Sequence, residues 1–388
     1  METSEFGGAF GKLIERESSE HGKYLSFLPQ KLPPKINYNE KIILALSKAD
    51  STLSKLSGAG LLLPNPNLLI IPYLKKEALS SSRIEGTRIS LSDYFLSEAK
   101  GIKKEDIEAT EIGNYLKAMN SALKRIKNEP ISTELIKQMH GVLMRGVRGS
   151  ELLPGNFRPV QNWIGPKNTP IKDATFVPPP QDEVEDLINK LVNYINEKDE
   201  MPMLIKCALM HYQFETIHPF CDGNGRIGRS LITLYLCNKD KISKPLLYAS
   251  DYFERHRREY YETLLTTNKT GKFEEWIKFF LKAIKVQSED ALERTIKIQK
   301  LRESYQLKTK NHKQASNLLN VVDVLFMNPF VQVNQIASNL NVTYPTAKKA
   351  VNNLITLGIL KPIEKGEKNK RERNKLFVAH EILDVVTM

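Results

Sequence analysis

Apolar side chains recur every three or four residues along most of this chain, the spacing that lines one face of an α-helix. Between Asn39 and Leu56 they fall at Ile42, Ile43, Leu46, Ala49, Leu53 and Leu56, and Gly58-Ala59-Gly60 is expected to end that helix. A second helix is predicted from Leu69 to Ile84, with Gly86 placed to act as a C-cap. The pattern resumes from Ile89 to Asn128, with a stripe of Ile107, Ile112, Tyr115, Leu116, Met119, Leu123 and Ile126. The stretches Thr133 to Leu143 and Gln181 to Asn196 read as amphipathic helices. Met203 to Ile217 is apolar almost all round and is therefore expected to be buried. A longer helix is predicted from Phe273 to about Leu307. Residues 1 to about 40 are broken by Gly7-Gly8, Pro29, Pro33 and Pro34 and read as an irregular lead-in.

One internal stretch departs from the helical period. Val160-Gln161-Asn162-Trp163-Ile164 and Thr175-Phe176-Val177 are short extended runs joined by Pro166-Lys167-Asn168-Thr169-Pro170. They predict a β-hairpin flap, whose edge could hold a peptide by strand addition; an ordinary surface hairpin is the plainer alternative. After a linker at Lys308 to Lys313 the pattern changes again. Three short helices (Ala315 to Phe326, Val333 to Leu340, Tyr344 to Leu357) precede two strands, Ile359 to Ile363 and Leu376 to Ala379, around the polar tip Glu364 to Lys375. That order outlines a winged helix-turn-helix. Its third helix carries Thr343, Tyr344, Thr346, Lys348 and Lys349 near its start, and its wing carries Lys368, Lys370, Arg371 and Arg373, residues suited to phosphate contacts. DNA is thus one expected partner, and protein contact or dimerisation the other. The fold expected is mainly α, with a small β-hairpin flap in a helical core. The divisions expected are an N-terminal region 1–110, a core 111–290, a linker helix 291–313 and the winged helix 314–388.

Bulk composition narrows the class. The 388 residues are 41% hydrophobic and 26% charged, as in soluble globular proteins, and no apolar run is long enough to span a bilayer. No membrane partner is therefore expected. Three cysteines, Cys207, Cys221 and Cys237, lack metal-ligand spacing; their odd number and the absence of a signal-like start predict a reducing, cytoplasmic compartment. The net charge of +12 suits nucleic acid, a nucleotide or an acidic protein surface alike.

The densest chemistry lies in His218-Pro219-Phe220-Cys221-Asp222-Gly223-Asn224-Gly225-Arg226-Ile227-Gly228-Arg229. A histidine can move a proton, an aspartate can hold a divalent metal, and two arginines can fork onto phosphate oxygens. Gly223 and Gly225 would let backbone amides approach an anion at the N-terminus of the apolar helix that follows, where the helix dipole favours negative charge. Upstream, Ser81 and Glu85 stand one helical turn apart just before Gly86. A glutamate in a last turn opposes the dipole. It is either an exposed side chain tolerating that cost or one aimed at a cation elsewhere.

The His218–Arg229 motif closely resembles the signature of Fic-domain proteins, and Ser81-Ser82-Arg83-Ile84-Glu85-Gly86 resembles that family's inhibitory-helix motif. The resemblance covers roughly residues 35 to 290. It implies a Fic-type helical core and transfer of AMP from ATP to a Ser, Thr or Tyr hydroxyl of a protein, itself included. His218 would be the general base and Asp222 the ligand of Mg²⁺ or Mn²⁺. Gly223, Asn224, Gly225, Arg226, Ile227, Gly228 and Arg229 would line the ATP phosphates, Asn224 at the α-phosphate and Arg229 at the γ-phosphate. Tyr261 would border the adenine. Val160 to Ile164 and Thr175 to Val177 would register the target. Glu85 would pair with Arg229 and hold the enzyme inactive; removal of AMP is a further activity the resemblance allows. Two rival readings are a DNA-binding regulator with an ATP-sensing Fic module and a transferase of another phosphate-linked group. A homodimer is compatible with the sequence.

Overall fold

A computed structural model of the chain describes residues 3–61, 65–103, 105–166, 168–363 and 375–387. The lead-in is not irregular. Strands β1 (Gly11–Ser18) and β2 (Gly22–Pro29) form an antiparallel hairpin, from Gly11 opposite Pro29 to Ser18 opposite Gly22. Gly22 takes φ +64 at the turn. Tyr24 and Phe27, on opposite faces of β2, both bury themselves against residues far along the chain, Phe27 with Phe6 and Phe176, Tyr24 with Ile171, Ala174 and Val177. That burial comes from distant segments, so local periodicity could not announce it.

Helices α1 (Glu40–Leu61), α2 (Asn67–Ile84), α3 (Leu91–Lys100), α4 (Ile107–Arg125) and α5 (Thr133–Leu143) follow. Helix α1 runs through Gly58-Ala59-Gly60 instead of ending there, since neither glycine takes the left-handed conformation of a C-cap; a Cβ at Gly60 would lie 3.0 Å from Leu246 Cδ1. The continuous helix expected over Ile89 to Asn128 is α3 plus α4. Ser90 caps α3, its hydroxyl accepting the Asp93 N–H, and Gly101 ends it at φ +83. Next come α6 (Val184–Asn196), α7 (Met203–Ile217), α8 (Asn224–Asn238), α9 (Ser250–Arg255), α10 (Arg257–Thr270) and α11 (Glu274–Thr309). Helix α7 is buried almost throughout, as its all-round apolar sequence requires. The expected linker over 291–313 is largely the second half of α11.

The C-terminal segment contains α12 (Ala315–Met327), β3 (Phe330–Gln332), α13 (Val333–Asn339), α14 (Tyr344–Thr356), β4 (Lys361–Pro362), β5 (Leu376–Val378) and α15 (His380–Thr387). Its sheet is antiparallel in the order β3-β5-β4. Strand β3 and helix α15 were not foreseen. Lys368, Lys370, Arg371 and Arg373 lie outside the described residues.

Helix α2 is packed on several sides, and buried residues run along most of its length. The C-terminal segment closes on it. Lys75, almost wholly buried, donates from Nζ to the Met327 carbonyl at 2.9 Å and to Glu98. Asn328 Nδ2 donates to the same Glu98 at 2.8 Å and to the Phe95 carbonyl at 3.0 Å. Burial lowers the Lys75 pKa, and the charge of Glu98 and their hydrogen bond oppose that shift. One hydrophobic core therefore runs from α1 through α15.

Candidate active site

The loop His218 to Gly223 joins α7 to α8. Two left-handed residues shape it: His218 at φ 51, closing α7, and Gly223 at φ +78, opening α8. Asn224 locks the loop from inside. Its Oδ1 accepts the Phe220 N–H at 2.8 Å and its Nδ2 donates to the Phe220 carbonyl at 2.7 Å. This pair sets the shape of the loop and uses one of the two Nδ2 hydrogens. Asp222 accepts the Gly223 N–H through Oδ1 and stands 3.6 Å from Arg226 Nη2.

The first turn of α8 leaves the amides of Asn224, Gly225 and Arg226 without intrahelical acceptors. Arg226 is 3% exposed and its Nε is a buried donor with no hydrogen-bond partner. A buried guanidinium with an unused donor, beside free helix amides, is an anion site by construction. Ile227 sits in the hydrophobic core, so its side chain faces no ligand. Gly225 and Gly228 prove necessary for a reason not foreseen. A Cβ at Gly225 would overlap Glu85 Oε1 and Arg229 Nη1, and one at Gly228 would overlap Glu215 Oε1. Both glycines make room for carboxylates beside Arg229.

Arg229, 1% exposed, is held by the C-terminal end of α2. Its Nε donates to Ser81 Oγ at 3.0 Å; its Nη2 donates to the Ser81 carbonyl at 2.8 Å and to Glu85 Oε1 at 2.7 Å. Burial pushes the Glu85 carboxyl up, yet the charge of Arg229 and their hydrogen bond outweigh it and hold Glu85 below its ordinary value. Gly86 leaves α2 at φ +104, a left-handed value that favours glycine. Tyr261, on α10, is partly exposed, and its hydroxyl feels both Glu85 and Arg229.

His218 is deprotonated by its surroundings. Burial first, then the nearby charge of Arg158, lowers its pKa to about 4. The 3.4 Å contact of Nδ1 with the Glu215 carbonyl requires the proton on Nδ1, which leaves the Nε2 lone pair free to accept another.

Several residues of the site gave no functional signal in the sequence. Arg158 lies in the turn-rich stretch before the flap, where nothing marks it as buried. It is 2% exposed and donates to the carbonyls of His218 (2.9 Å) and Val160 (3.3 Å) and to Pro179, clamping the loop to the flap. His140 is a packed, hydrogen-bonded histidine. It stacks on Phe220 at 3.8 Å, accepts the Gly155 N–H at Nδ1 and so donates from Nε2 to the Asp222 carbonyl, both at 2.9 Å. His211 likewise donates to the Gly228 carbonyl and accepts from Tyr260. Glu77, two turns before Glu85 on α2, is buried against Ser250 and Tyr115, and burial lifts its carboxyl to about 7. Glu215 is lifted to the same value for the same reason.

The flap differs from the hairpin expected. Its two runs meet in one antiparallel bridge, Ile164 to Phe176, with a turn of 3₁₀-helix at Ile171–Asp173 between them. The Val177 carbonyl already accepts the Phe27 N–H of β2 at 2.9 Å, so the N-terminal hairpin occupies part of the edge expected to be open. Gln161, Phe176 and Val177 are buried; Asn162 donates to the Phe220 carbonyl and Trp163 to the Thr169 carbonyl. Val160, Ile164 and Thr175 remain exposed. The three cysteines are unpaired, and among the described residues no helix is long and apolar enough to cross a membrane.

Comparison with known proteins agrees with this arrangement. Residues 130–236 match the Fic/DOC family, and residues 43–124 match the Fic/DOC family N-terminal model. A probable protein adenylyltransferase of Aquifex aeolicus is 28% identical over 167 residues, 43% of this chain and 49% of that protein. The protein adenylyltransferase fic-1 of Caenorhabditis briggsae is 26% identical over 212 residues, 54% of this chain and 37% of that protein. The chain thus spans half or less of the length of these relatives. A crystal structure of a Fic family protein from Desulfovibrio desulfuricans superposes with a TM-score of 0.57 at 18% identity, covering 90% of this chain and 98% of that one, which shows a common fold. With its motif loop, helix N-terminus and upstream helix in this arrangement, the chain contains a Fic/DOC domain over residues 130–236, preceded over residues 43–124 by a match to the Fic/DOC family N-terminal model.

Proposed function

We propose that the protein is an autoinhibited protein adenylyltransferase that moves AMP from ATP to a protein hydroxyl. The observation that carries this reading is the neutral His218 with a free Nε2, set beside the anion site made by the α8 amides and Arg226. His218 Nε2 takes the proton of the target Ser, Thr or Tyr hydroxyl. The oxygen attacks the α-phosphorus, the bond to the β-phosphate bridging oxygen breaks, and pyrophosphate leaves. Arg226 and the first-turn amides of α8 offset the charge that gathers on the departing oxygens, and Arg229 would meet the γ-phosphate once Glu85 is displaced. Asp222 is a single, partly exposed carboxylate. That fits Mg²⁺ or Mn²⁺, which takes its other ligands from phosphates and water; the ion would neutralise phosphate charge. Exposed Val160, Ile164 and Thr175 are the flap positions left to meet a target segment, and Tyr261 to border the adenine. Support also comes from the names of the matched relatives.

In this reading Glu85 is the inhibitor, since the Arg229 donors it occupies are the ones a γ-phosphate needs. Removal of AMP by water would use the same glutamate. The C-terminal helices and sheet fit a winged helix, with α13 and α14 joined through Asn341 at φ 51. A DNA-binding role would rest on the exposed Thr343 and Lys349 at the start of α14.

Mass spectrometry of the Glu85→Gly variant incubated with ATP and Mg²⁺ tests the main reading. An adduct of AMP mass, absent when His218→Ala is added, is expected. A phosphate-mass adduct, or an AMP adduct that persists in His218→Ala, refutes it.

A further inference from the structure

Away from the loop, α1 and α11 border an open groove of about 400 Å³. Its lining repeats one pattern on both helices. On α1, Lys41, Leu44, Ala45 and Lys48 follow at i, i+3, i+4 and i+7; on α11, Lys278, Leu281, Lys282 and Lys285 do the same. On α1 the lysines flank Leu44 and Ala45, whereas α11 contributes three lysines around the buried Leu281. Leu281 is fully buried as the floor, whereas Leu44 is 55% exposed. Lys278 pairs with Glu275 and Lys285 with Glu289, both on their own helix; Lys41, Lys48 and Lys282 have no ion pair among the described residues. Lys278, Lys282 and Lys285 follow at steps of four and three residues, where like charges cost stability, and Leu44 stands exposed between Lys41 and Lys48.

We propose that this groove docks an acidic amphipathic helix of a partner protein, its apolar stripe on Leu44, Ala45 and the aliphatic stems of the lysines, and its carboxylates between the lysine rows. The chemistry favours that occupant over other polyanions. The groove has no aromatic side chain to stack on a base and no arginine to fork onto a phosphate, which nucleic acids reward. It lacks the Trp and Tyr anchors of a membrane surface, and a concave strip between two helices does not match a flat bilayer. An exposed leucine between lysine rows on two helices fits helix-in-groove recognition, with charge setting orientation and encounter rate. The groove is formed by helices outside the motif loop, so the inference does not depend on which group the loop transfers.

The test uses the full chain and a labelled 20-residue peptide with leucines at i, i+3, i+4 and i+7 and glutamates flanking them. Fluorescence anisotropy should show saturable binding that weakens at least tenfold in Lys48→Glu/Lys282→Glu and in Leu44→Asn, with circular dichroism unchanged. A peptide of the same composition with its leucines scattered round the helix should bind at least tenfold more weakly. The proposal is overturned if the charge-reversed variant binds within twofold of the parent, if the scattered peptide binds equally well, or if duplex DNA or phosphatidylserine vesicles displace the peptide through this groove more effectively than unlabelled peptide does.

Discussion

Arg229 Nη2 meets Glu85 Oε1 at 2.7 Å, across 144 residues of sequence, with the arginine sealed from solvent and the glutamate about one-third exposed. Burial works against the charge on Arg229, and Glu85 more than restores it. The pair also has a third member, since Ser81 takes two further donors of the same guanidinium. Arg229 is thus committed to the end of α2, and anything that needs its charge must first displace Glu85.

Charge-assisted hydrogen bonds of this kind contribute about 1.5–3 kcal/mol, which corresponds to roughly a 10- to 100-fold shift between held and released states. Glu85→Gly is expected to raise self-modification with labelled ATP by a factor in that range. Glu85→Gln, which keeps the shape and loses the charge, should give a smaller rise. Equal incorporation in wild type and Glu85→Gly would show that the pair does not restrain the site.

The base assignment has a pH signature. With its pKa lowered to about 4, His218 is neutral well below the range where an ordinary imidazole gains its proton. In Glu85→Gly, kcat/KM for ATP should stay level from pH 7 down to about 5.5, and the acid limb should lie lower still. Glu85 raises the His218 value, so its removal cannot move that limb upward. A limb at or above 6.5 would show that His218 is not the titrating base.

Glu77 makes stability depend on pH in the opposite sense to a salt-bridged acid. Its folded value of about 7 exceeds the ordinary 4.5, so between those values the folded state holds a proton that the unfolded state has lost. Stability is greatest below about 4.5 on this account and falls as pH rises through about 7, by at most about 1.4 kcal/mol per unit. Glu77→Gln should flatten that decline and raise the Tm more at pH 8 than at pH 5, read by thermal denaturation in matched buffers. Glu215, raised in the same way, leaves a residual slope. An identical slope in parent and variant would exclude Glu77 as its source.

Gly228 sets two effects against each other. In the interior of α8, alanine would add about 1 kcal/mol by helix propensity. Its Cβ would overlap the Glu215 carboxylate and stand 2.9 Å from Phe214 Cδ1, in a core that has no slack. Overpacking costs about 1–3 kcal/mol, so Gly228→Ala should lower the midpoint of denaturant unfolding. A raised midpoint would mean that Glu215 moves aside freely.

Much of the site was legible because its residues are contiguous. The loop from His218 to Arg229 carries base, acid, glycines and arginines in twelve consecutive positions, and the bounds of α5 and α7 fall where capping and apolar runs place them. Even the split of Ile89 to Asn128 into two helices has a local cause in Gly101. These features rest on neighbours in sequence: a left-handed residue, a first turn of free amides, one apolar face.

The sequence by itself determined the helices and the chemistry of the loop, because helix capping, periodicity and side-chain type are local properties. Tertiary structure decided which cation Glu85 meets, that Arg158 is a buried clamp and not a loop charge, and that Asn224 is engaged with Phe220. It also decided that β1 and β2 exist at all, and that they cover part of the flap edge. Each of these depends on a partner tens to hundreds of residues away, and on the burial that makes a charge or an amide costly unless that partner is met.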